Sequence, residues 1–491
     1  MKTEGATEVT ALRDGSAWLP GPRDDDDFVG RFTEIAERHY ARALSAGALN
    51  EWRSQQLGRV LAKVTERSPF YKRHLAGIDV ASISLDTLST LPFTTKQDLR
   101  REMFDVLSGD VSEATFFYET TGTTGRATPC PRDDKEVISS NTHITESWRA
   151  IFTKHFGHRR PSVGLMGPTE VHSFGDTLGD VARNVGSCNA KIWPYSPVVG
   201  FKKALELMRD LRLEVIVATP GVCLNLARAA RHYGFDIERD FSVKLFFLTG
   251  EMCTPALAAN VDAIWGVTAY NILYGSQEAF VMGVACPSRN MRLAETNYIV
   301  EVIDPETSES LGERGTGELC VTMVADGIKP LVRYRTGDLV RITDDAAHEG
   351  DLPGAQIEVI GRVLDQLVVG GNQVAAATIE TAVLDGVTDC YGYQVVIDRD
   401  PATGSDVVTV RVELTDPTAD HVAAQSRAIV DRFRTDLGVR CEVEVLEELD
   451  AVVSTGAFVS WKAARILDRR CEPGHEERVA SQLAKGRGIN S

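Results

Sequence analysis

The chain predicts an α/β fold, α+β overall. A large N-terminal domain over 1–361 has β-sheets flanked by helices, and a small C-terminal α+β domain over 362–491 ends in a polar tail. Three observations predict it. Short apolar runs alternate with helical stretches from about 110 to 340. The pattern changes near Gly361-Arg362. Beyond that point the order strand, strand, helix, strand reads as a split βαβ unit. At 491 residues the chain has room for about three domains or two unequal ones.

Residues 1–30 form a lead-in with Gly, Pro and the acid run Asp24–Asp27. Helical periodicity runs from Phe32 to His74, with Leu57, Leu61 and Val64 on one face and a break at Pro69. Leu91-Pro-Phe-Thr-Thr-Lys96 reads as a loop leading into a helix start. The runs 215–218 and 245–248 predict buried strands, and 201–211 and 222–233 predict helices beside them. Residues 298–303 and 317–324 alternate like exposed antiparallel strands. In the C-terminal part, 393–398 and 407–414 predict strands joined by a turn containing Asp400, Pro401 and Gly404. A helix over 419–437 and a strand over 441–446 follow.

Lys plus Arg is 53 and Asp plus Glu is 70, a net charge of −17. That balance argues against broad contact with nucleic-acid phosphates or an anionic membrane surface, though not against one small anion. No apolar leader and no run of about 18 apolar residues is visible, so a cytoplasmic protein is expected. The nine cysteines are scattered without a Cys-x-x-Cys pair, which predicts free thiols rather than disulfides or structural zinc.

The sharpest motif is Tyr118-Glu-Thr-Thr-Gly-Thr-Thr-Gly-Arg-Ala-Thr-Pro129. Hydroxyls of Thr120, Thr121, Thr123 and Thr124, with backbone freed by Gly122 and Gly125, suit phosphate oxygens. It is no Walker loop, because Gly-Lys-Ser/Thr is missing. Three further segments accompany it in order: Leu273-Tyr-Gly-Ser-Gln-Glu278, Arg333-Tyr-Arg-Thr-Gly-Asp-Leu339 and Gly361-Arg-Val-Leu-Asp-Gln-Leu-Val-Val-Gly-Gly371. Singly, each reads equally well as a turn, a salt-bridged loop or a linker.

Together with Glu66-Arg-Ser-Pro-Phe-Tyr71, Leu91–Lys96, 297–307 and 330–338, these motifs resemble the adenylate-forming superfamily. The strongest likeness is to phenylacetate–CoA ligase, over about 57–470. The resemblance implies an AMP-forming acyl-CoA ligase for an aryl or bulky cyclic acid, using ATP, Mg²⁺ and coenzyme A, with a mobile C-terminal domain and a possible homodimer. By resemblance, Thr120, Thr121, Gly122, Thr123, Thr124, Gly125 and Arg126 hold phosphate, with Thr121 catalytic. Tyr274, Gly275, Asp338 and Arg362 bind the nucleoside. Glu278 contacts Mg²⁺, and Lys462 bridges the carboxylate and α-phosphate. Trp193, Tyr195, Gly250, Glu251 and Ser276 face the acyl group, and His172–Phe174 lies nearby. The aromatics among them are equally readable as core. Gly370 and Gly371 admit CoA.

Four positions depart from the family pattern. Arg126 stands for Lys, Gln277 for Thr, Leu364 for a charged hinge residue and Trp461 for Gly. Arg and Lys are not equivalent donors. A Trp beside Lys462 either stacks without consequence or holds that Lys from the α-phosphate. Three rivals therefore stay open: an enzyme that only thioesterifies a supplied acyl-AMP, one that charges a carrier-protein thiol, and a binding protein without catalysis. ATP–pyrophosphate exchange followed by CoA or carrier-protein trapping separates them.

Overall fold

A computed structural model describes residues 28–120, 127–363, 366–447 and 465–470. The expected first helical stretch is divided. Helix α1 (Phe28–Tyr40) is followed by α2 (Ala46–Arg67) and α3 (Pro69–His74), with α4 (Lys96–Glu102) further on. Pro69 starts a helix as well as marking a break. Ser68 ends α2 and caps α3 through its side chain, and Pro fits the first helical turn, where no N–H partner is needed. A Thr95–Asp98 capping box starts α4 at Lys96.

Strands β1 (Phe116–Glu119) and β2 (Pro129–Arg132) form an antiparallel hairpin, and α5 (Asp134–Phe156) follows. The chain then alternates through β3 (Val163–Met166), α6 (Phe174–Asn184), β4 (Asn189–Lys191), α7 (Gly200–Asp210), β5 (Val215–Ala218), α8 (Pro220–Tyr233), α9 (Ile237–Asp240), β6 (Leu245–Leu248), α10 (Pro255–Trp265) and β7 (Thr268–Asn271). Its strands form a parallel sheet in the order β4-β3-β5-β6-β7. All of β3, β5 and β6 is buried, as expected of a parallel sheet covered on both faces.

A second, antiparallel sheet comprises β8 (Leu273–Ser276), β9 (Phe280–Ala285), β10 (Met291–Leu293), β11 (Tyr298–Ile303), β12 (Gly315–Met323), β13 (Tyr334–Thr343) and β14 (Gln356–Arg362). Its order is β11-β12-β13-β14-β10-β9-β8. The expected antiparallel pairing of β11 with β12 is present. Their expected exposure is corrected: every residue of β11 and most of β12 are buried. The apparent polar face failed as a guide because Glu301 is buried as the partner of Arg333, at 2.8 Å through each carboxylate oxygen.

After β14 come the hairpin β15 (Gln366–Val369) and β16 (Asn372–Ala375), then α11 (Ala376–Leu384). Next are β17 (Cys390–Arg399), β18 (Asp406–Leu414), α12 (Ala419–Asp436), β19 (Cys441–Val445) and β20 (Ile466–Asp468). The sheet order is β19-β18-β17-β20, with β17 and β18 antiparallel and the outer strands parallel to their neighbours. One apolar cluster joins this sheet to the parallel sheet; Leu257 and Val261 of α10 share it with Ile379 and Val383 of α11. Asn260 on α10 exchanges hydrogen bonds with the backbone of Cys390, donating to its carbonyl at 2.7 Å and accepting from its amide at 2.9 Å.

Candidate active site

One end of the site is built by β13, β14 and β8. Gly337 takes φ of +79°, a left-handed turn that glycine adopts at low cost. The turn brings Asp338 opposite Arg362 across β13 and β14. Arg362 Nε donates to Asp338 Oδ1 at 3.1 Å, and the Tyr274 hydroxyl donates to Oδ2 at 2.8 Å. Only 8% of Asp338 is exposed, and burial raises its carboxyl pKa against the opposing charge of Arg362. Burial, then the neighbouring Asp338, raises the Tyr274 phenol well above its ordinary value, so Tyr274 is a neutral donor. Each carboxylate oxygen keeps acceptor capacity for hydroxyl groups beyond these two bonds.

Gly275 meets a steric demand. The β8–β9 register shifts between Tyr274 and Gly275, and a Cβ at 275 would lie 2.3 Å from the Phe280 carbonyl oxygen. Ser276 Oγ accepts from the Ala279 amide at 3.1 Å, closing the turn that carries Glu278. Beneath this turn, fully buried Arg132 donates to the carbonyls of Gln277 and Glu278 at 2.7 and 2.6 Å. Arg132 is balanced by Glu136 at 2.8 Å and lies over the Phe280 ring. A buried charge needs such pairing, and here the pair also holds the turn's backbone.

Lys96 Nζ lies 3.2 Å from Glu278 Oε1. Burial pushes the Glu278 carboxyl up, but the charges of Lys96 and then Lys329 outweigh it and hold the group below its ordinary range. Buried Lys329 donates to the Pro129 carbonyl and lies 3.0 Å from Cys130 Sγ on β2. Cations therefore gather where β2 leaves the Thr/Gly loop. The base of that loop is closed by reciprocal bonds: the Thr120 amide to the Thr128 carbonyl at 3.1 Å, and the Thr128 amide to Thr120 Oγ1 at 2.9 Å. Thr121, Gly122, Thr123, Thr124, Gly125 and Arg126 lie outside the described residues, as do Leu364, Trp461 and Lys462.

Lys96 ends the Leu91–Lys96 motif, which by itself assigns it no role. It reaches the site because Thr94 pairs with Tyr334 in a parallel bridge and exchanges backbone bonds with Arg333 and Arg335. Arg333 fixes this contact by donating to the carbonyls of Ser89 and Leu91 and lying 4.1 Å over the Phe93 ring. Lys96, Arg132 and Lys329 had no local signal pointing to Glu278; only the tertiary pairing of two distant motifs brings them together.

Among the described residues, no group of three or more His, Cys, Asp or Glu side chains could hold a metal ion. Glu278 offers one buried, ionised carboxylate that feels the charge of Lys329, which itself bonds the Pro129 carbonyl. That fits Mg²⁺, which characteristically takes one or two carboxylates and completes its shell with phosphate oxygens and water.

The expected acyl-facing residues divide. Trp193 and Tyr195 are half-buried, with ring centroids 5.1 Å apart, and both pack against core residues. Asn225 donates to the Tyr195 hydroxyl at 2.6 Å and accepts from Arg228, whose guanidinium also makes a two-point contact with Glu413 on β18. Gly250 takes φ of +83°. Glu251 beside it accepts from Arg465 at 2.6 Å. Gly370 and Gly371 form the two-residue turn of the β15–β16 hairpin, both with positive φ as such a turn requires. The Gly370 amide donates to Asp406.

Residues 372–470 match the family model described as AMP-binding enzyme C-terminal domain. Phenylacetate-coenzyme A ligase of Thermus thermophilus is 28% identical over 448 residues, covering 86% of this chain and 97% of that protein. The Escherichia coli phenylacetate-coenzyme A ligase is 25% identical over 444 residues, covering 87% and 96%. Among solved structures, 2-hydroxyisobutyryl-CoA ligase in the postadenylation state with R3-HIB-AMP has a TM-score of 0.74 at 18% identity, covering 96% of this chain and 97% of that one. The same ligase with 2-HIB-AMP and CoA in the thioesterification state gives 0.60 at 19% identity, with the same coverage.

Proposed function

We propose that this chain, which belongs to the adenylate-forming superfamily with phenylacetate–CoA ligase-like relatives, is an AMP-forming acyl-CoA ligase. The observation that carries the proposal is that two buried carboxyls, Asp338 and Glu278, both feel the charge of Lys96. Asp338 is held by Tyr274 and Arg362, and Glu278 is paired with Lys96.

In the first half-reaction a carboxylate oxygen of the acid attacks the α-phosphorus of ATP. The bond from that phosphorus to the bridging oxygen breaks, and pyrophosphate leaves. Asp338 accepts the ribose hydroxyls, with Arg362 and Tyr274 fixing its orientation. Gly275 lets the chain pass close to the nucleoside. Thr120 and the loop 121–126, with Thr121 and Arg126, receive phosphate oxygens. Lys462 supplies positive charge between carboxylate and α-phosphate. Stabilising developing charge in this manner is the principal catalytic effect expected of such a site. Mg²⁺, bound at Glu278, would neutralise phosphate charge.

In the second half-reaction the CoA thiol attacks the acyl carbonyl, its proton passes to solvent and AMP leaves. The domain beyond 361 rotates about 362–365, so that Gly370 and Gly371 replace Lys462 at the site. The acid is aryl or bulky and cyclic. Trp193, Tyr195, Gly250, Glu251 and Ser276 are the proposed surroundings of its acyl group, and the half-buried aromatic pair supports that substrate class. The enzyme is cytoplasmic, and a homodimer is the assembly proposed for it. Among the described residues, no helix is long and apolar enough to cross a membrane.

Incubating the protein with ATP, Mg²⁺, CoA and a panel of carboxylic acids tests this reading by mass spectrometry. One aryl or cyclic acid should yield its CoA thioester with an equal amount of AMP. A thioester formed on a carrier protein but not on CoA would contradict the acceptor assignment.

A further inference from the structure

Arg465 joins two parts of the molecule that the proposed reaction must separate. Its backbone belongs to the C-terminal sheet, where its carbonyl accepts from the Val395 amide at 2.8 Å. Its guanidinium divides between carboxylates. Nη1 donates to Glu380 Oε2 at 2.9 Å on α11, and Nη2 donates to Glu251 Oε2 at 2.6 Å in the turn after β6. The Arg465 side chain is 10% exposed, Glu251 5% and Glu380 fully buried. Both carboxylates hold the guanidinium charged despite burial. Glu380 has two further partners: Tyr393 donates to Oε2 at 2.7 Å, and the Thr254 amide at the head of α10 donates to Oε1 at 2.9 Å.

The geometry points to a clamp. We propose that Arg465 is a positioning residue for adenylation, binding Glu251 only when the C-terminal domain is docked and so setting where Lys462 can reach. This inference rests on the two-step reading above. Arg465 lies three positions after Lys462, so at most about 11 Å separates their Cα atoms. Rotation of the domain keeps Arg465 with Glu380 but takes it from Glu251, and it takes Glu380 from the Thr254 amide. Glu251 and Thr254 are therefore the core's receptors for the docked state. Simple stabilisation of the fold would weaken both half-reactions alike. A clamp predicts that only the step needing Lys462 suffers.

The test uses the full chain with phenylacetate as acid and carries Arg465→Gln and Arg465→Lys. Three quantities are read: ATP–pyrophosphate exchange, conversion of synthetic phenylacetyl-adenylate with CoA, and hydrogen exchange at the Thr254 amide. In Arg465→Gln, pyrophosphate exchange should fall about tenfold or more while thioester formation changes less than about twofold. Thr254 should lose protection by about tenfold or more. Arg465→Lys, which keeps the charge but cannot serve both carboxylates in fork geometry, should fall between wild type and Arg465→Gln. If Arg465→Gln does not fold, the same comparison is made on Arg465→Lys. Equal loss of both half-reactions, or unchanged Thr254 protection, would overturn the clamp. Should the wild type form no adenylate with phenylacetate or with any other acid of the panel, the two-step reading fails, and Thr254 protection alone decides the clamp.

Discussion

Asp338 and Arg362 face each other across β13 and β14, and the guanidinium donates to the carboxylate at 3.1 Å. The same carboxylate accepts from Tyr274 on β8, so strands separated by β14, β10 and β9 in the sheet order meet at one acceptor. Asp338→Ala removes that acceptor. Ribose hydroxyls buried without a partner cost about 1–3 kcal/mol, so AMP affinity should fall about tenfold or more. Calorimetric titration with AMP checks this, and unchanged affinity in a folded variant would refute the ribose assignment.

Gly275 should tolerate no side chain. A Cβ there would stand 2.3 Å from the Phe280 carbonyl oxygen, a backbone atom that cannot swing aside. Gly275→Ala should destabilise the protein by about 1–3 kcal/mol and weaken AMP binding through displacement of Tyr274. A denaturation midpoint equal to wild type would show that β8 and β9 shift freely.

Glu278 is ionised because Lys96 and Lys329 outweigh its burial. Glu278→Gln removes the carboxylate while keeping its shape. Acid-dependent ATP–pyrophosphate exchange should fall about a hundredfold, equal to about 3 kcal/mol in the barrier, and the Mg²⁺ concentration for half-maximal rate should rise. Retention of the wild-type Mg²⁺ dependence would remove Glu278 from the metal assignment.

Acid should destabilise the protein through two imidazoles. Burial, then the charges of Arg53 and Arg42, lowers His39 from 6.5 to about 4. Burial likewise lowers His143 to about 4, against a hydrogen bond to Asn297 that favours its charged form. His143 accepts from the Tyr40 hydroxyl at Nδ1 and donates from Nε2 to Asn297 at 2.9 Å, the arrangement of a neutral ring. As pH falls, the unfolded chain binds protons first. The stability is therefore fully present above 6.5 and is lost as pH falls towards 4, by about 3 kcal/mol for each group. Urea midpoints between pH 7.5 and 4.5 should show this fall, with a shallower fall in His143→Gln. Identical slopes would contradict the assignment.

The parallel sheet was legible because its strands are continuous apolar runs bounded by helices; 215–218 and 245–248 coincide with β5 and β6. The C-terminal order was legible from its turn, since the Asp400–Gly404 segment joins β17 and β18. Burial of β11 was not, because Glu301 looks like a solvent-facing residue until Arg333 is placed beside it. Within the site, Asp338, Tyr274 and Glu278 stood out in motifs, whereas Lys96 lies 182 positions from Glu278. No periodicity or spacing spans that interval. The contact depends on Thr94 pairing with Tyr334, a tertiary event. Arg465 was likewise part of a matched motif, but its division between Glu251 and Glu380 depends on how the C-terminal sheet packs against α10.

Isotope exchange between pyrophosphate and ATP reports whether this chain makes its own acyl adenylate. Purified wild-type protein is given ATP, Mg²⁺, labelled pyrophosphate and single aryl or cyclic acids, without CoA. Label should appear in ATP only with the cognate acid, and Lys462→Ala should abolish that exchange. No exchange with any acid, together with rapid conversion of a synthetic aryl adenylate and CoA to the thioester, would contradict adenylation by this chain and leave an enzyme confined to the second half-reaction.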